Sequence, residues 1–391
     1  MPWFAPAPPR FTQDRFAIGF WVDPPFDHQA ERRYREIADA GFNLVLAGFQ
    51  KLDRPRFVRL LRKFDLRAIV WQDNDNFQNS IDDPHVWGTA LRDEPSAKDF
   101  PDLARRAKAL KAARPRQFAY VNLFPNYATP GQLGSPDYDS HVSDFIKTFQ
   151  PEVLSMDHYP LFRPDRPTDG RDGYCENLET LRIHSLKAGI PFWNFFNTMP
   201  YGPHTDPTES QLRWQVFASL CHGAKGILWF CYYTPGGDEE FPKGGAIIAR
   251  DDVPTHHYEQ AGRINRVVAN LGKTLMRCTS TGVVRVRPTD NPATVLRGSG
   301  LLDLRKAAVD PPGDYLVGSF RHQDGRRAVL LMNYRTTHTA WPTVVFDAAD
   351  RDVREVDPRT GREIPVRDES PKMEGVQVPL LDGGGRLFLL T

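Results

Sequence analysis

Two adjacent carboxylates close a short apolar run in WGTALRDEP, where Asp93 and Glu94 precede Pro95 and a helical pattern follows. Proline disfavours helical backbone for the residue before it, so Pro95 is expected to hold Glu94 extended and fix its direction. A carboxyl group in a partly desolvated pocket gains proton affinity, which equips it as a general acid. A second acid, Asp157, ends the run VLSMDHYP and is followed by His158 and Tyr159; a third, Asp23, ends FAIGFWVD. Other apolar runs end in or near Trp71, Gln72, Asn122, Trp193, Asn197, Trp229 and Tyr232. Amides and carboxylates give hydroxyl groups bidentate partners, and a flat ring suits the apolar face of a sugar. A phosphate or another anion would call for an Arg or Lys cluster, which these run ends lack. Glu239 and Glu240, in GGDEEF, belong either to a loop over the same mouth or to a water-exposed acidic loop.

The runs that carry these residues alternate with helical patterns from Phe16 to about Gly272. FAIGFWVD precedes HQAERRYREIADAG, NLVLAGF precedes RPRFVRLLRKF, and LRAIVWQD is followed by a loop. FPDLARRAKALKAARP follows the Asp93–Glu94 run, with Leu103, Ala107 and Leu110 on one stripe and Pro115 as its stop. Four more units end with KGILWFCYY and THHYEQAGRINRVVANLG, and Thr208 with Gln211 has the spacing of a capping box. Eight strand–helix units over some 250 residues predict an α/β fold, a (β/α)8 TIM barrel spanning residues 1–275. A doubly wound sheet competes, but no glycine-rich phosphate turn follows the first strand. Beyond Gly272 the texture becomes hairpins, one around Asp324–Gly325 and one around Pro358 and Gly361. Residues 276–391 are therefore expected to form a small antiparallel β-sandwich.

Active sites of such barrels lie at the C-terminal strand ends, and alternation says which residues face the axis. Ser155, Asp157 and Tyr159 share the inner face, with Leu154 and Met156 toward the helices and His158 on the outer parity. Gly19, Trp21 and Asp23 share the inner face of the first strand. Glu94 falls with Arg92 and Ala90, which leaves Asp93 on the other side, tied to a loop or a helix start. On this count only one of the two adjacent acids reaches the axis.

Composition narrows the partners. Net charge is +1 and no Lys/Arg block exceeds a pair, so the basic footprint of a nucleic-acid binder is missing. No apolar stretch nears the roughly 20 residues needed to cross a bilayer. The 34 prolines in 391 residues exceed the usual share of about 5% and are scattered, which predicts many shaped loops. Cys175, Cys221, Cys231 and Cys278 lack CxxC spacing, so neither a cysteine zinc site nor a redox motif is expected, and no metal or cofactor is called for. The opening residues lack the charged and apolar segments of a signal peptide, which fits a cytoplasmic chain or a mature exported one.

The strand ends DEP and DHYP, YVNLFPNY, ASLCHGAKGILWF and GGAIIARDDVPTHHYEQAGRIN together resemble the clan A type of TIM-barrel glycoside hydrolase, in particular β-galactosidase-like bacterial proteins. The resemblance covers the barrel and the position of the β domain, and it implies a location in the periplasm or outside the cell. It implies that Glu94, at the end of the fourth strand, is the acid/base; the family usually has Asn where this chain has Asp93. It also implies a nucleophilic glutamate at the end of the seventh strand, where this chain reads FWNFFNTMPYG. Glycosidases pair an acid with a second carboxylate, and Asp157 is the preferred candidate here. The fourth and sixth strands are two apart around a barrel, which favours the wider carboxylate spacing. Two readings follow: a hydrolase cleaving an O-glycosidic bond with Glu94 and Asp157, or a catalytically degenerate barrel that binds a glycan. The blander alternatives are an ion pair of Glu94 with Arg92 and a purely orienting role for Asp157.

Overall fold

The computed structural model describes residues 11–48, 51–165, 170–236, 240–306, 310–311, 313–349, 352–370 and 374–391. Eight strands come first: β1 (Ala17–Phe20), β2 (Leu44–Ala47), β3 (Arg67–Trp71), β4 (Val86–Asp93), β5 (Phe118–Asn122), β6 (Leu154–Asp157), β7 (Phe192–Asn197) and β8 (Gly226–Phe230). Between and after them lie α1 (Ala30–Asp39), α2 (Arg54–Lys63), α3 (Phe100–Ala113), α4 (Pro130–Leu133), α5 (Tyr138–Phe149), α6 (Arg171–Ala188), α7 (Glu209–Cys221) and α8 (His256–Leu275). A single 3-10 turn, Phe77–Asn79, replaces the helix after β3.

All eight strands pair in parallel, in two four-stranded sheets ordered β1-β8-β7-β6 and β2-β3-β4-β5. Side chains alternate between two apolar environments, as the two-residue period of a strand requires. Ala17, Leu44, Leu46, Trp193, Phe195 and Leu228 join one cluster that draws on both sheets. Their neighbours Ile18, Phe20, Val45, Ile227 and Trp229 join a second cluster shared with the helices. Burial on both faces is why these strands read as near-continuous apolar runs. At one seam between the sheets, Asn43 N donates to Ile18 O at 2.9 Å, and the Asn43 side chain accepts from Ile18 N and donates to Phe16 O. At the other, Leu123 N donates to Ser155 O at 2.8 Å, beside a parallel bridge between Leu123 and Met156.

Local signals set the helix ends. The Asp53 carboxylate accepts from Arg56 N at 3.1 Å, with Pro55 in the first turn of α2. Thr208 and Gln211 form the full capping box of α7. Gly189 closes α6 at φ 66°, a left-handed value that glycine takes without penalty.

The remaining strands are antiparallel: β9 (Cys278–Val286), β10 (Leu301–Arg305), β11 (Tyr315–His322), β12 (Arg327–Asn333), β13 (Thr343–Phe346), β14 (Val353–Val356), β15 (Glu363–Pro365), β16 (Val376–Gln377) and β17 (Gly385–Leu390), with one short helix α9 (Pro292–Val295). They form a six-stranded sheet, β15-β14-β17-β12-β11-β9, and a three-stranded sheet, β10-β13-β16. Val317, Val329, Leu331, Val344 and Phe388 belong to the apolar core that the two sheets share. The larger sheet also packs on α7, and at Gly318 a side chain would collide with the Cys221 carbonyl. Arg285 lies 3.7 Å over the Tyr334 ring and pairs with Asp314 and with Asp172 of α6. All four cysteines are free thiols. Among the described residues, no helix is long and apolar enough to cross a membrane.

Candidate active site

The C-terminal ends of β4, β5 and β6 bring three carboxyl groups together, two of them on one amide. Asn122, the last residue of β5, donates from Nδ2 to Asp157 Oδ1 at 2.9 Å and to Asp93 Oδ1 at 3.1 Å. Its own Oδ1 accepts from Ser155 Oγ at 3.1 Å, and Ser155 Oγ meets the Tyr120 hydroxyl at 2.7 Å. This buried chain fixes the Asn122 amide and thereby the two aspartates. Glu94 is in hydrogen-bond contact with Asp157.

Alternation predicts opposite faces for Asp93 and Glu94, and the structure departs from it. The register of β4 on β5 slips between Ala90 and Arg92, so that Ala90 pairs with Tyr120 and Arg92 with the very next residue, Val121. Leu91 is the extra residue and packs toward the helices. Such a bulge resets which side chains face the axis. Glu94 lies just past the strand at φ 44°, left-handed rather than extended as Pro95 alone would favour. Its N–H still donates to Asn122 O at 2.8 Å, so the turn is locked to β5. Both acids of the pair therefore reach the same site. The wide spacing expected between the fourth and sixth strands is also overturned, because Glu94 and Asp157 touch.

Two carboxyl groups in contact cannot both ionise cheaply, and one proton is shared between them. Burial pushes Glu94 up to about 7, the charge of Asp93 adds to this, and the bond to Asp157 works against it. Asp157 is held well above the ordinary range, first by burial and then by the charges of Glu94 and Asp93. Asp93 is exposed to solvent on one side; desolvation by the atoms packed around it raises it to about 6, against the Asn122 hydrogen bond and the Arg92 charge. Asp157 is 7% exposed, whereas Glu94 is only half-buried and stands closer to solvent.

The other sequence-derived candidates separate into two groups. Trp21 and Trp71 meet edge to face at 5.7 Å, and Trp21 also packs on Phe195 at 5.4 Å. Tyr159 packs within 5.1–5.8 Å of Phe230, Tyr201 and His204. Asn197, at the end of β7, is fully buried, and neither of its side-chain amide atoms has a partner among the described residues. Asp23 is buried beside β2, accepting from Gly48 N at 3.3 Å, and its charge raises the Tyr34 phenol after burial has done so.

Trp193, Trp229 and Tyr232 do not join the rim. Trp193 is the second residue of β7, lies deep against Trp87 and Phe118, and donates to Gln13 at 3.1 Å. Leu228 takes the inner face of β8, so Trp229 turns outward and donates to Asn265 of α8 at 3.1 Å. Tyr232 stacks outward on Phe20 at 4.4 Å. His158, on the outer parity, bonds Asn177 of α6 at 3.0 Å, and burial lowers it to about 4, which keeps it neutral. Glu239 lies outside the described residues; Glu240 is exposed.

Sequence reasoning missed three groups on the loops after β5 and β7. Tyr127 packs on His158 at 5.0 Å and bonds the backbone of Tyr159, close enough to Asp157 and Glu94 that both charges raise its phenol after burial. Tyr201 is raised by burial first and also feels Asp157 and Glu94; among the described residues its hydroxyl has no partner, and the same holds for Thr198 Oγ1. Position on a strand-to-helix loop of an α/β barrel pattern was the available signal.

No family model and no curated protein matches the sequence. Solved structures do match. A β-galactosidase from Bacillus circulans sp. alkalophilus superposes with TM-score 0.60 at 10% identity, over 96% of this chain and 99% of that one. A catalytic mutant of a GH42 β-galactosidase from G. stearothermophilus gives 0.57 at 7% identity, over 97% and 98%. A β-galactosidase from the psychrophilic Marinomonas ef1 gives 0.47 at 10% identity over 66% of this chain, which spans 60% of that longer one. At these identities the likeness is one of fold.

Proposed function

We propose that this chain is a glycoside hydrolase that cleaves an O-glycosidic bond of an oligo- or polysaccharide, with Glu94 as general acid and Asp157 as the second carboxylate. The observation that carries the reading is the contact between these two carboxyl groups, with Asp157 held on the Asn122 amide, at the ends of three neighbouring parallel strands. A pair holding one proton near neutral pH supplies both a donor and a carboxylate. Glycosidases hold their two carboxyl groups about 5–9.5 Å apart across the scissile bond, so Glu94, the less enclosed partner, must turn away from Asp157 to reach a glycosidic oxygen. Asp157 then stays in place on the Asn122 amide as the charged member. Trp21, Trp71, Tyr127, Tyr159, Tyr201 and Phe230 supply ring faces for a sugar around the pair.

The same reading closes the two parallel sheets into one (β/α)8 barrel over residues 1–275, with residues 276–391 as a β-sandwich. The hydrogen bonds at both seams and the apolar cluster common to both sheets support it. The fold likeness to two β-galactosidases over almost the whole chain supports the hydrolase class.

The test is release of the chromophore from a broad panel of aryl glycosides by wild type and Glu94→Gln. Turnover is expected from wild type on at least one sugar, with kcat reduced about 10²–10⁴-fold in the variant. Equal turnover by both proteins removes Glu94 as the acid. No turnover on any sugar, with glycan binding intact in both, leaves a binding barrel instead.

A further inference from the structure

Away from the carboxyl cluster, the loop after β7 meets the first turn of α8 through three ligand-bearing side chains. His257 Nε2 lies 2.8 Å from Asp206 Oδ1, and His256 Nε2 lies 3.8 Å from Asp206 Oδ2. The two imidazole rings stand 4.0 Å apart between centroids, and one donor atom from each of the three residues falls within 4.8 Å of the others. His257 is fully buried, whereas His256 and Asp206 are 58% and 50% exposed, so the group is anchored on one side and open to solvent on the other.

The second contact of His257 makes this more than an ion pair. Its Nδ1 lies 2.8 Å from Gln260 Oε1, one turn along α8. With Nδ1–H donated to that carbonyl, the Nε2 lone pair points at the Asp206 carboxylate, acceptor against acceptor. In that tautomer a cation beside them, a proton or a metal ion, makes the arrangement favourable; the other tautomer, with the Gln260 amide turned to donate, makes an ordinary hydrogen bond to Asp206. Metal-bound histidines generally donate their other ring N–H to a carbonyl or carboxylate, which fixes tautomer and ring orientation. Two imidazoles and a carboxylate are the donor set of borderline divalent ions.

We propose that Asp206, His256 and His257 bind a divalent transition metal of the zinc class, with solvent completing the coordination. The ion staples the loop that carries Thr198, Tyr201 and His204 to α8, and so fixes one aromatic wall of the candidate active site. The residues come from positions 206, 256 and 257, a separation that no short metal motif spans, and the site does not depend on hydrolase activity.

The test uses the full chain stripped with EDTA and titrated with Zn²⁺ alone at pH 7.5, followed by calorimetry and thermal melting. One ion per chain is expected, and zinc at one hundred times its Kd raises the folded-to-unfolded ratio about 100-fold. Co²⁺ in its place is expected to give a visible absorption band. His256→Ala, at an exposed ring, is expected to melt as wild type in EDTA and to lose both the zinc response and the cobalt band. Asp206→Asn, which keeps side-chain shape, is the second variant and is read in the same way. No binding by wild type, or unchanged zinc stoichiometry in both variants, overturns the proposal; activity on glycosides enters neither outcome.

Discussion

The strand ends of β4, β5 and β6 and those of β7, β8 and β1 are built from opposite chemistry. On the first side the polar groups form one chain: Asn122 serves two carboxylates, Ser155 serves Asn122, and Tyr120 meets Ser155. On the second side the side-chain polar atoms of Asn197, Thr198 and Tyr201 have no partner among the described residues, and the walls are the rings of Tyr201, Phe230 and Trp21. Buried polar groups are nearly always paired, and each exception calls for an explanation. A pre-paired cluster suits proton transfer, because its groups are held in place before substrate arrives. An unpaired one suits binding, because a hydroxyl-rich ligand supplies the missing partners. The seventh strand ends in amide and hydroxyl groups, Asn197 and then Thr198, with no carboxylate between Phe192 and Thr198.

Breaking the acidic side gives the largest expected effect. Asp157→Asn keeps the hydrogen bond to Asn122 geometrically possible but removes the charge and the shared proton. It is expected to lower kcat about 10²–10⁴-fold, on the scale of general acid–base catalysis. Measured on the same aryl glycoside as Glu94→Gln, the double variant is expected to be hardly worse than either single one, since residues acting as a unit are non-additive. Multiplying losses would mean that the two carboxyl groups work separately.

How much of this division was legible beforehand follows from what strand periodicity can carry. Leu154 and Met156 against Ser155 and Asp157 were separable from sequence alone because β6 is regular, and the same count assigns β11, β12 and the Asp324–Gly325 turn between them. The bulge in β4 was not legible, since one additional residue looks like any other in an apolar run, yet it decides where Asp93 and Glu94 point. Depth was equally hidden. Trp193 and Asn197 lie on the same strand and face, but one closes the bottom of the apolar interior and the other reaches the rim. Trp229 was misplaced because aromaticity was weighed ahead of parity on β8, whereas Tyr232 lies past the end of β8, where strand alternation no longer counts. The Asp206–His256–His257 group needed tertiary contact between a loop and a helix some fifty residues apart.

The binding side is tested by Asn197→Ala. Gln215 clamps the Asn197 backbone, donating to its carbonyl at 3.0 Å and accepting from its N–H at 3.1 Å, so deleting the side chain leaves the strand end in position. An amide with no protein partner gives little to the folded state, and thermal melting is expected to move hardly at all or slightly upward. A substrate hydroxyl that loses a buried partner is expected to reduce kcat/KM about 10–100-fold, from 1–3 kcal/mol. Lost stability with unchanged kinetics would make Asn197 a framework residue and dissolve the contrast between the two sides.

The smallest expected effect is the most specific, and it concerns how Asp93 sets the proton affinity of Glu94. Glu94 acts as an acid only while protonated, so kcat/KM is expected to fall on the alkaline side through a pKa of about 7. The charge of Asp93 helps to raise that value, after burial. Asp93→Asn removes the charge, lowers the Glu94 pKa and shifts the alkaline limb to lower pH, by less than about one unit at a partly exposed site. Stability carries the same signature with a fixed sign. Glu94 and Asp157 have folded pKa values above their unfolded ones, so their favourable contribution is complete below about pH 4 and is lost as pH rises through about 7. Glu94→Gln, neutral at every pH, is therefore expected to gain stability relative to wild type on going from pH 4 to pH 8, on the order of 1 kcal/mol after allowance for its exposure. Chemical denaturation of both proteins across that range measures the difference. A wild-type advantage that grows with pH would mean that both carboxyl groups ionise freely, and the shared proton on which the acidic side depends would be absent.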